Sequence, residues 1–170
     1  MKVAITDACI FIDLYDLNLT TSFFSLNLEI HTSLDVFNEL YEAQKEILEK
    51  SALIEKLLIH NIEPTERWKI MQTNYPKSLS EMDKTVLFLA EKFNAIVLSS
   101  DKAVRNCAKS KAIEYHGILW IFDQLVENNL LNKSEAFEKL SLLIQLNGFY
   151  RGNAELMKEV NQRLGKWRKN

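Results

Sequence analysis

The sequence predicts an α/β fold of three layers, α/β/α, with a central parallel sheet of four or five strands and additional helices at the C-terminal end. Three observations predict it. Short apolar runs rich in β-branched residues recur along the chain, and each is followed by a segment of helical spacing. The runs are continuously apolar rather than alternating, so both faces of the sheet must be covered. Strand and helix alternate at intervals that suit right-handed β-α-β crossovers.

Val3-Ala4-Ile5-Thr6 is the first strand, and it stops at Asp7. Ala8 to Leu19 follows with helical spacing, and Glu29 to Ser33 is a second strand. Ser33 is a good N-cap, and Leu34, Phe37, Leu40 and Tyr41 continue at helical intervals, so the spacing predicts one helix reaching about Lys50. Lys56 to Ile62 is a third strand, ended by Pro64. Thr65 then caps a helix over Glu66–Asn74, which Tyr75-Pro76 terminates. Ser80 caps an amphipathic helix with Met82, Val86, Leu89, Ala90 and Phe93 on one face. Ala95-Ile96-Val97-Leu98 is the most apolar strand and runs into Ser99-Ser100-Asp101. A helix over Ala103–Lys109, a strand over Ile113–His116, a break at Gly117 and a helix over Ile118–Asn128 follow. From Ser134 the pattern is helical, interrupted at Gly148 and Gly152.

A length of 170 residues suits one domain with a real core, and 47% hydrophobic and 26% charged residues exclude a disordered or fibrous chain. A net charge of −2 counts against gripping nucleic acid by bulk electrostatics, although a bound divalent cation reverses the sign of an acidic site locally. Cys9 and Cys107 are too few and too far apart for a disulfide framework or a zinc ribbon, and read as buried thiols in a reducing compartment. The chain opens with a charged strand rather than a basic and then apolar leader, and no apolar run reaches membrane-spanning length. A cytoplasmic location, with no membrane partner, is expected.

In doubly wound sheets, ligands bind outside the carboxyl ends of the strands. Asp7 follows the first strand and Asp101 the fourth, while Glu39 and Asp83 lie early in helices that leave the same edge. Singly, each has an ordinary explanation. An Asp after a strand is usually a turn or cap residue, Asp83 completes a capping box with Ser80, and Glu39 is a solvated helix residue. Their joint placement at one edge is the functional signal. Carboxylates brought together repel, and a shared divalent cation relieves them; an oxygen-only donor set selects Mg²⁺ or Mn²⁺.

Ile5-Thr6-Asp7-Ala8-Cys9, Ser33-Leu34-Asp35-Val36-Phe37-Asn38-Glu39-Leu40, Ser80-Glu81-Met82-Asp83-Lys84 and Leu98-Ser99-Ser100-Asp101 together resemble the PIN domain family, in particular the VapC-like ribonuclease toxins. The resemblance covers roughly residues 2 to 130, and the ordered set carries it rather than any one motif. It implies a PIN-like nuclease unit over 1–132, with 133–170 a helical extension packed on the same domain. It also implies an endoribonuclease that hydrolyses RNA phosphodiester bonds with a metal-activated water, dependent on Mg²⁺ or Mn²⁺. By the same resemblance Asp7, Glu39, Asp83 and Asp101 are the metal-binding catalytic acids, and Ser99 is the hydroxyl that supports them. It further implies the toxin of a type II toxin–antitoxin pair, with a small antitoxin as partner and a homodimer as the assembly. Lys102 and Arg105, on the helix after Asp101, are candidate phosphate or RNA contacts, weighed against plain surface charge. The sequence departs from the family at Cys9, where a hydroxyl or amide is usual; a thiol hydrogen-bonds weakly.

Other candidates rank lower. His31, His60 and His116 show no metal-ligand spacing. Glu81 is the second choice for the place given to Asp83, and Asp13, Asp16 and Asp35 read as solvated acids. The stretch Arg151, Lys158, Arg163, Lys166, Arg168 and Lys169 with Trp167 is a basic, aromatic RNA surface, a solvated terminal helix or a helix that packs on a partner protein. A haloacid-dehalogenase phosphatase needs an Asp where Cys9 stands, and a receiver domain needs paired acids near the start. The alternative to a nuclease is a catalytically weak PIN-like module that binds RNA or protein.

Overall fold

A computed structural model of the chain describes residues 1–168. The first half runs β1 (Lys2–Thr6), α1 (Ala8–Asp16), α2 (Thr20–Phe23), β2 (Leu28–Ser33), α3 (Leu34–Glu39), α4 (Glu42–Leu53), β3 (Leu57–His60) and α5 (Pro64–Gln72). The second runs α6 (Glu81–Phe93), β4 (Ile96–Leu98), α7 (Lys102–Ser110), β5 (Tyr115–His116), α8 (Ile118–Glu127), α9 (Lys133–Leu146), α10 (Gly148–Arg151) and α11 (Ala154–Trp167). All strand pairings are parallel, in the order β3-β2-β1-β4-β5.

That order fixes where a ligand can sit. The chain steps outward from β1 through β2 to β3, then returns to lay β4 on the other side of β1 and steps outward again to β5. Right-handed crossovers made in opposite directions place their helices on opposite faces. Accordingly α1 packs with α2 and α4, and α6 with α5 and α7. The direction reverses between β1 and β4, and a crevice opens outside their carboxyl ends. The Asp7 amide donates to the Leu98 carbonyl at 3.0 Å, carrying the ladder one residue past the strand ends into that crevice.

The two central strands explain why their sequences do not alternate. Ala4 and Ile5 of β1, and Ile96, Val97 and Leu98 of β4, are all buried, because helices cover both sides. Residues of α8, α9, α10 and α11 belong to the same apolar core as the sheet, with Trp167 buried against Phe122 at a ring separation of 6.1 Å. The C-terminal helices are thus packed on the sheet unit, with Tyr150 and Trp167 among the largest buried side chains.

Three elements differ from the sequence-based expectation. The helix expected from Ser33 to Lys50 is broken: Leu40 is extended (φ −76°, ψ 151°) and buried, and the Tyr41 amide donates to Gln44 Oε1 at 3.0 Å to start α4. The apolar spacing runs through the break because both helices turn an apolar face to the same core. Pro64 begins α5 rather than ending a strand, with Glu63 rather than Thr65 as the N-cap; proline suits the first helical position, where its missing N–H is not needed. The short helix α2 lies within a stretch given no element.

Asp13 is the clearest correction. It is buried, not solvated: its two carboxylate oxygens accept from Tyr150 Oη at 2.7 Å and Asn147 Nδ2 at 3.2 Å. Asp16 is exposed as expected, while Asp35 accepts from Arg67 Nη2 at 2.9 Å through both oxygens.

Candidate active site

Asp7 stands at the switch point between β1 and β4. It N-caps α1, its Oδ1 accepting from the Ala8 amide at 2.7 Å. Its Oδ2 accepts from Ser99 Oγ at 2.7 Å and from the Cys9 thiol at 3.3 Å. Ser99 closes the opposite wall: the hydroxyl that donates to Asp7 accepts from the Asp101 amide at 3.1 Å. One buried serine therefore joins the acid after β1 to the acid after β4.

The other two acids are placed by a second hydroxyl contact. Ser33, at the end of β2, caps α3 by accepting from the Val36 amide at 3.1 Å, and its Oγ lies 2.7 Å from Thr85 Oγ1 on α6. Thr85 spends its own proton on the Met82 carbonyl, so Ser33 donates. This buried pair sets α3, which ends at Glu39, against the first turn of α6, which carries Asp83. Asp83 forms a capping box, its Oδ2 accepting from the Ser80 amide at 2.7 Å.

The electrostatics tie three of the acids together. Burial pushes the Asp7 carboxyl above the ordinary range; Ser99 and Cys9 pull it down, and the Asp83 charge pushes it up again. Glu39 is raised by partial desolvation and by the charges of Asp7 and Asp83. Glu81 plays no part in this: it pairs with Lys84. Burial beside Asp7 pushes the Cys9 thiol up, which keeps it protonated and a donor. Asp101 is tied to Asp7 through its backbone amide and Ser99.

The acids share an edge without closing on one point. Among the described residues, no three His, Cys, Asp or Glu side chains gather at metal-ligating spacing. The reason lies in the caps: Asp83 gives one oxygen to Ser80, and Asp101 Oδ1 accepts from the Ala103 and Val104 amides at 2.7 and 3.0 Å. Each carboxylate is thereby held over its own helix terminus. The donor set still fits a hard divalent cation. It is all carboxylate and hydroxyl oxygen, the Asp83 charge adds to burial in pushing the Asp7 and Glu39 carboxyls up, and Asp83 and Asp101 each keep one oxygen outside the cap.

Lys102 is exposed on the first turn of α7. Arg105 is half-buried, with its Nε enclosed and without a hydrogen-bond partner. None of the three histidines stands among the acids. His31 and His60 meet at 3.1 Å beside Phe93, and His116 stacks on Trp120 at 4.2 Å. The His31–His60 contact between neighbouring strands was not visible from sequence spacing. The basic C-terminal surface is also altered: Trp167 is buried and Arg163 holds Asp123 bidentately, while Lys169 lies outside the described residues. No helix among the described residues is long and apolar enough to cross a membrane.

A parallel sheet whose switch point carries the buried Asp7, with the half-buried Asp83 and the exposed Glu39 and Asp101 along the same edge, defines an α/β protein with an acidic edge. The PIN domain family model matches residues 3–166, nearly the whole chain, and the chain belongs to that family. PIN domains are generally nucleases and typically use divalent metals. Among solved structures, a PilT N-terminus domain protein from the hyperthermophilic archaeon Sulfolobus solfataricus P2 is similar, with 14% identity over 74% of this chain and 94% of that one and a TM-score of 0.47. A domain of a functionally unknown protein from Methanocaldococcus jannaschii DSM 2661 has 26% identity over 69% of this chain and 91% of that one, with a TM-score of 0.44. No curated protein matches the chain.

Proposed function

We propose that this protein is a divalent-metal-dependent endoribonuclease that hydrolyses RNA phosphodiester bonds at the acidic edge between β1 and β4. The observation that carries the reading is the link from the Asp7 carboxylate through Ser99 to the Asp101 amide at the switch point of a PIN fold, with the Asp83 charge felt at both Asp7 and Glu39. Asp7, Asp83 and Asp101, with Glu39, are the residues that would hold Mg²⁺ or Mn²⁺; bound there, such an ion supplies an activated water and neutralises charge on the phosphate.

The remaining roles fall to the chain's own groups. Ser99 and Cys9 fix the rotamer of Asp7 and keep its Oδ2 hydrogen-bonded while it is charged. The α6 and α7 caps hold Asp83 and Asp101 in place before any substrate arrives, so no side-chain freedom is lost at the reacting step. Lys102, exposed on the first turn of α7, is the side chain we assign to a phosphate near Asp101.

The resemblance to VapC-like toxins extends the proposal to the toxin of a type II pair, in which a small antitoxin binds the protein and two copies form a homodimer. Tyr41, Leu53, Ile54, Trp68 and Met71, exposed on and around α4 and α5, support a surface for a protein partner.

A second reading, a catalytically weak RNA- or protein-binding module, is favoured by the acids' failure to close at ligand spacing and by the weak thiol donor at Cys9. One experiment separates the two. RNA cleavage is measured with Mg²⁺ or Mn²⁺, with and without EDTA, for the wild type, Asp7→Asn and Asp101→Asn. The nuclease reading requires cleavage that EDTA and both substitutions abolish. Equal cleavage by all three proteins removes the assigned site, and RNA binding without cleavage selects the module.

A further inference from the structure

Beside the acid edge, β5 and α8 face α10 and α11 across a cavity of about 290 Å³. Ser100, Phe149 and Tyr150 separate it from a second hollow of about 240 Å³ that reaches Cys9 and Asp101. The cavity thus shares Ser100, the residue before Asp101, with the hollow that reaches the acid edge.

Its walls have a specific chemistry. His116 and Trp120 lie parallel at 4.2 Å with an interplanar angle of 13°, a preformed planar stack. Phe149, about half exposed, stands on the α10 wall. Arg105 enters from α7, its guanidinium reaching to about 4.0 Å from where a Cβ on Gly117 would sit. The two arginines of the cavity are not equivalent. Arg163 is committed to Asp123 at 2.6 Å and to Glu159, whereas Arg105 makes no ion pair among the described residues, and its buried Nε has no hydrogen-bond partner. An enclosed cationic donor lacking its partner beside a flat aromatic stack is a recognition site awaiting an anion attached to a planar ring. A volume near the lower end of ligand pockets, roughly 300 Å³, admits a single nucleotide unit and excludes a base-paired one.

We propose that this cavity is a nucleotide subsite for single-stranded RNA, which takes one unpaired base against the His116–Trp120 stack and the attached phosphate on Arg105. The proposal rests on the ribonuclease reading for its choice of ligand. It makes the C-terminal helices part of the substrate-binding surface, since α10 and α11 form one wall. It also explains how a chain of net charge −2 would hold RNA: by stacking and one half-buried arginine rather than by a basic face.

The test is binding of a short fluorescein-labelled single-stranded RNA, read by anisotropy in EDTA so that cleavage does not intervene. The wild type is compared with Arg105→Gln, Trp120→Leu and Phe149→Ala, with folding checked by circular dichroism. Phe149 is half exposed, so its substitution keeps the test alive if Trp120→Leu does not fold. Each folded variant is expected to bind about tenfold more weakly, with the wild type preferring single-stranded over duplex RNA by a similar factor. Unchanged binding by the folded variants, equal competition by duplex RNA, or no RNA binding by the wild type overturns the subsite. The nuclease reading fails separately: if Asp7→Asn and Asp101→Asn cleave like the wild type while the cavity variants lose RNA, the subsite stands and the acid site falls.

Discussion

Tyr150 Oη lies 2.7 Å from Asp13 Oδ2, which joins α10 to α1 across 137 positions of the chain. This contact pins the C-terminal hook to the helix that begins at Asp7, and it gives a buried carboxylate one of its two side-chain donors.

Burial raises the Asp13 carboxyl, and Tyr150 and Asn147 partly offset that. The sign of the linkage follows. At pH values below the ordinary Asp pKa both states hold the proton. As pH rises past it the unfolded chain releases its proton first, and stability falls until the raised folded pKa is passed. Tyr150→Phe removes a donor to the charged form, so the folded pKa rises further and the variant's deficit widens with pH. The expected loss is about 2 kcal/mol at neutral pH and about 1 kcal/mol near pH 4, measured by urea unfolding. A deficit that does not change with pH would falsify the assignment of Asp13 as charged in the folded protein.

Asp7→Asn should separate stability from activity. Asp7 is buried and raised by desolvation, so an amide of the same shape removes a charge that folding must desolvate. The variant is expected to unfold about 1 kcal/mol later than the wild type at pH 7 while losing cleavage. Thermal unfolding and an RNA cleavage assay on the same sample decide it, and a less stable variant counts against the burial argument.

Asp101 has two duties, and two substitutions divide them. Asn keeps an oxygen for the Ala103 and Val104 amides; Ala does not. Asp101→Ala should cost about 1 kcal/mol more than Asp101→Asn in chemical unfolding, with both inactive. Equal stabilities would mean that the α7 cap carries no weight.

Cys9→Ser replaces a weak donor to Asp7 with a strong one, at a side chain that also accepts from the Ser100 amide at 3.3 Å. A stronger bond to the charged form lowers the Asp7 pKa toward its ordinary range. Cleavage is expected to rise by up to about tenfold, the equivalent of roughly 1.4 kcal/mol, with stability changed by less than about 1 kcal/mol. Slower cleavage by a folded variant would show that the thiol's size, rather than its weak hydrogen bonding, is what the site uses.

How far the chain could be read in advance depended on whether a signal was local. Val3 to Thr6 and Ala95 to Leu98 are continuous apolar runs ending at polar residues, and their strand character needs no distant partner to be visible. Ser80 and Asp83 carry their capping box within one turn. The break at Leu40 is invisible because apolar spacing does not register a backbone that turns extended over Leu40 and Tyr41 and resumes as helix. The burial of Asp13 is hidden for the opposite reason: nothing near it in sequence distinguishes a buried acid from a solvated one, and its donors arrive from Asn147 and Tyr150. The candidate site divides the same way. The four acids and Ser99 sit at legible strand and helix ends, but the His116–Trp120 stack and the unpartnered Arg105 depend on how α8 and α10 close over β5.

The placement of β4 beside β1 has a consequence for the growing polypeptide. Strand pairing there joins Ala4 to Ile96, and the serine that bridges the acids is 92 positions from the first of them. Such distant partners meet late, after nearer contacts have formed. A ribosome that has delivered only the first three strands presents Asp7 and Glu39 without Asp83, Ser99 or Asp101. The full set of acids is therefore present only once the fourth strand and Asp101 have been made.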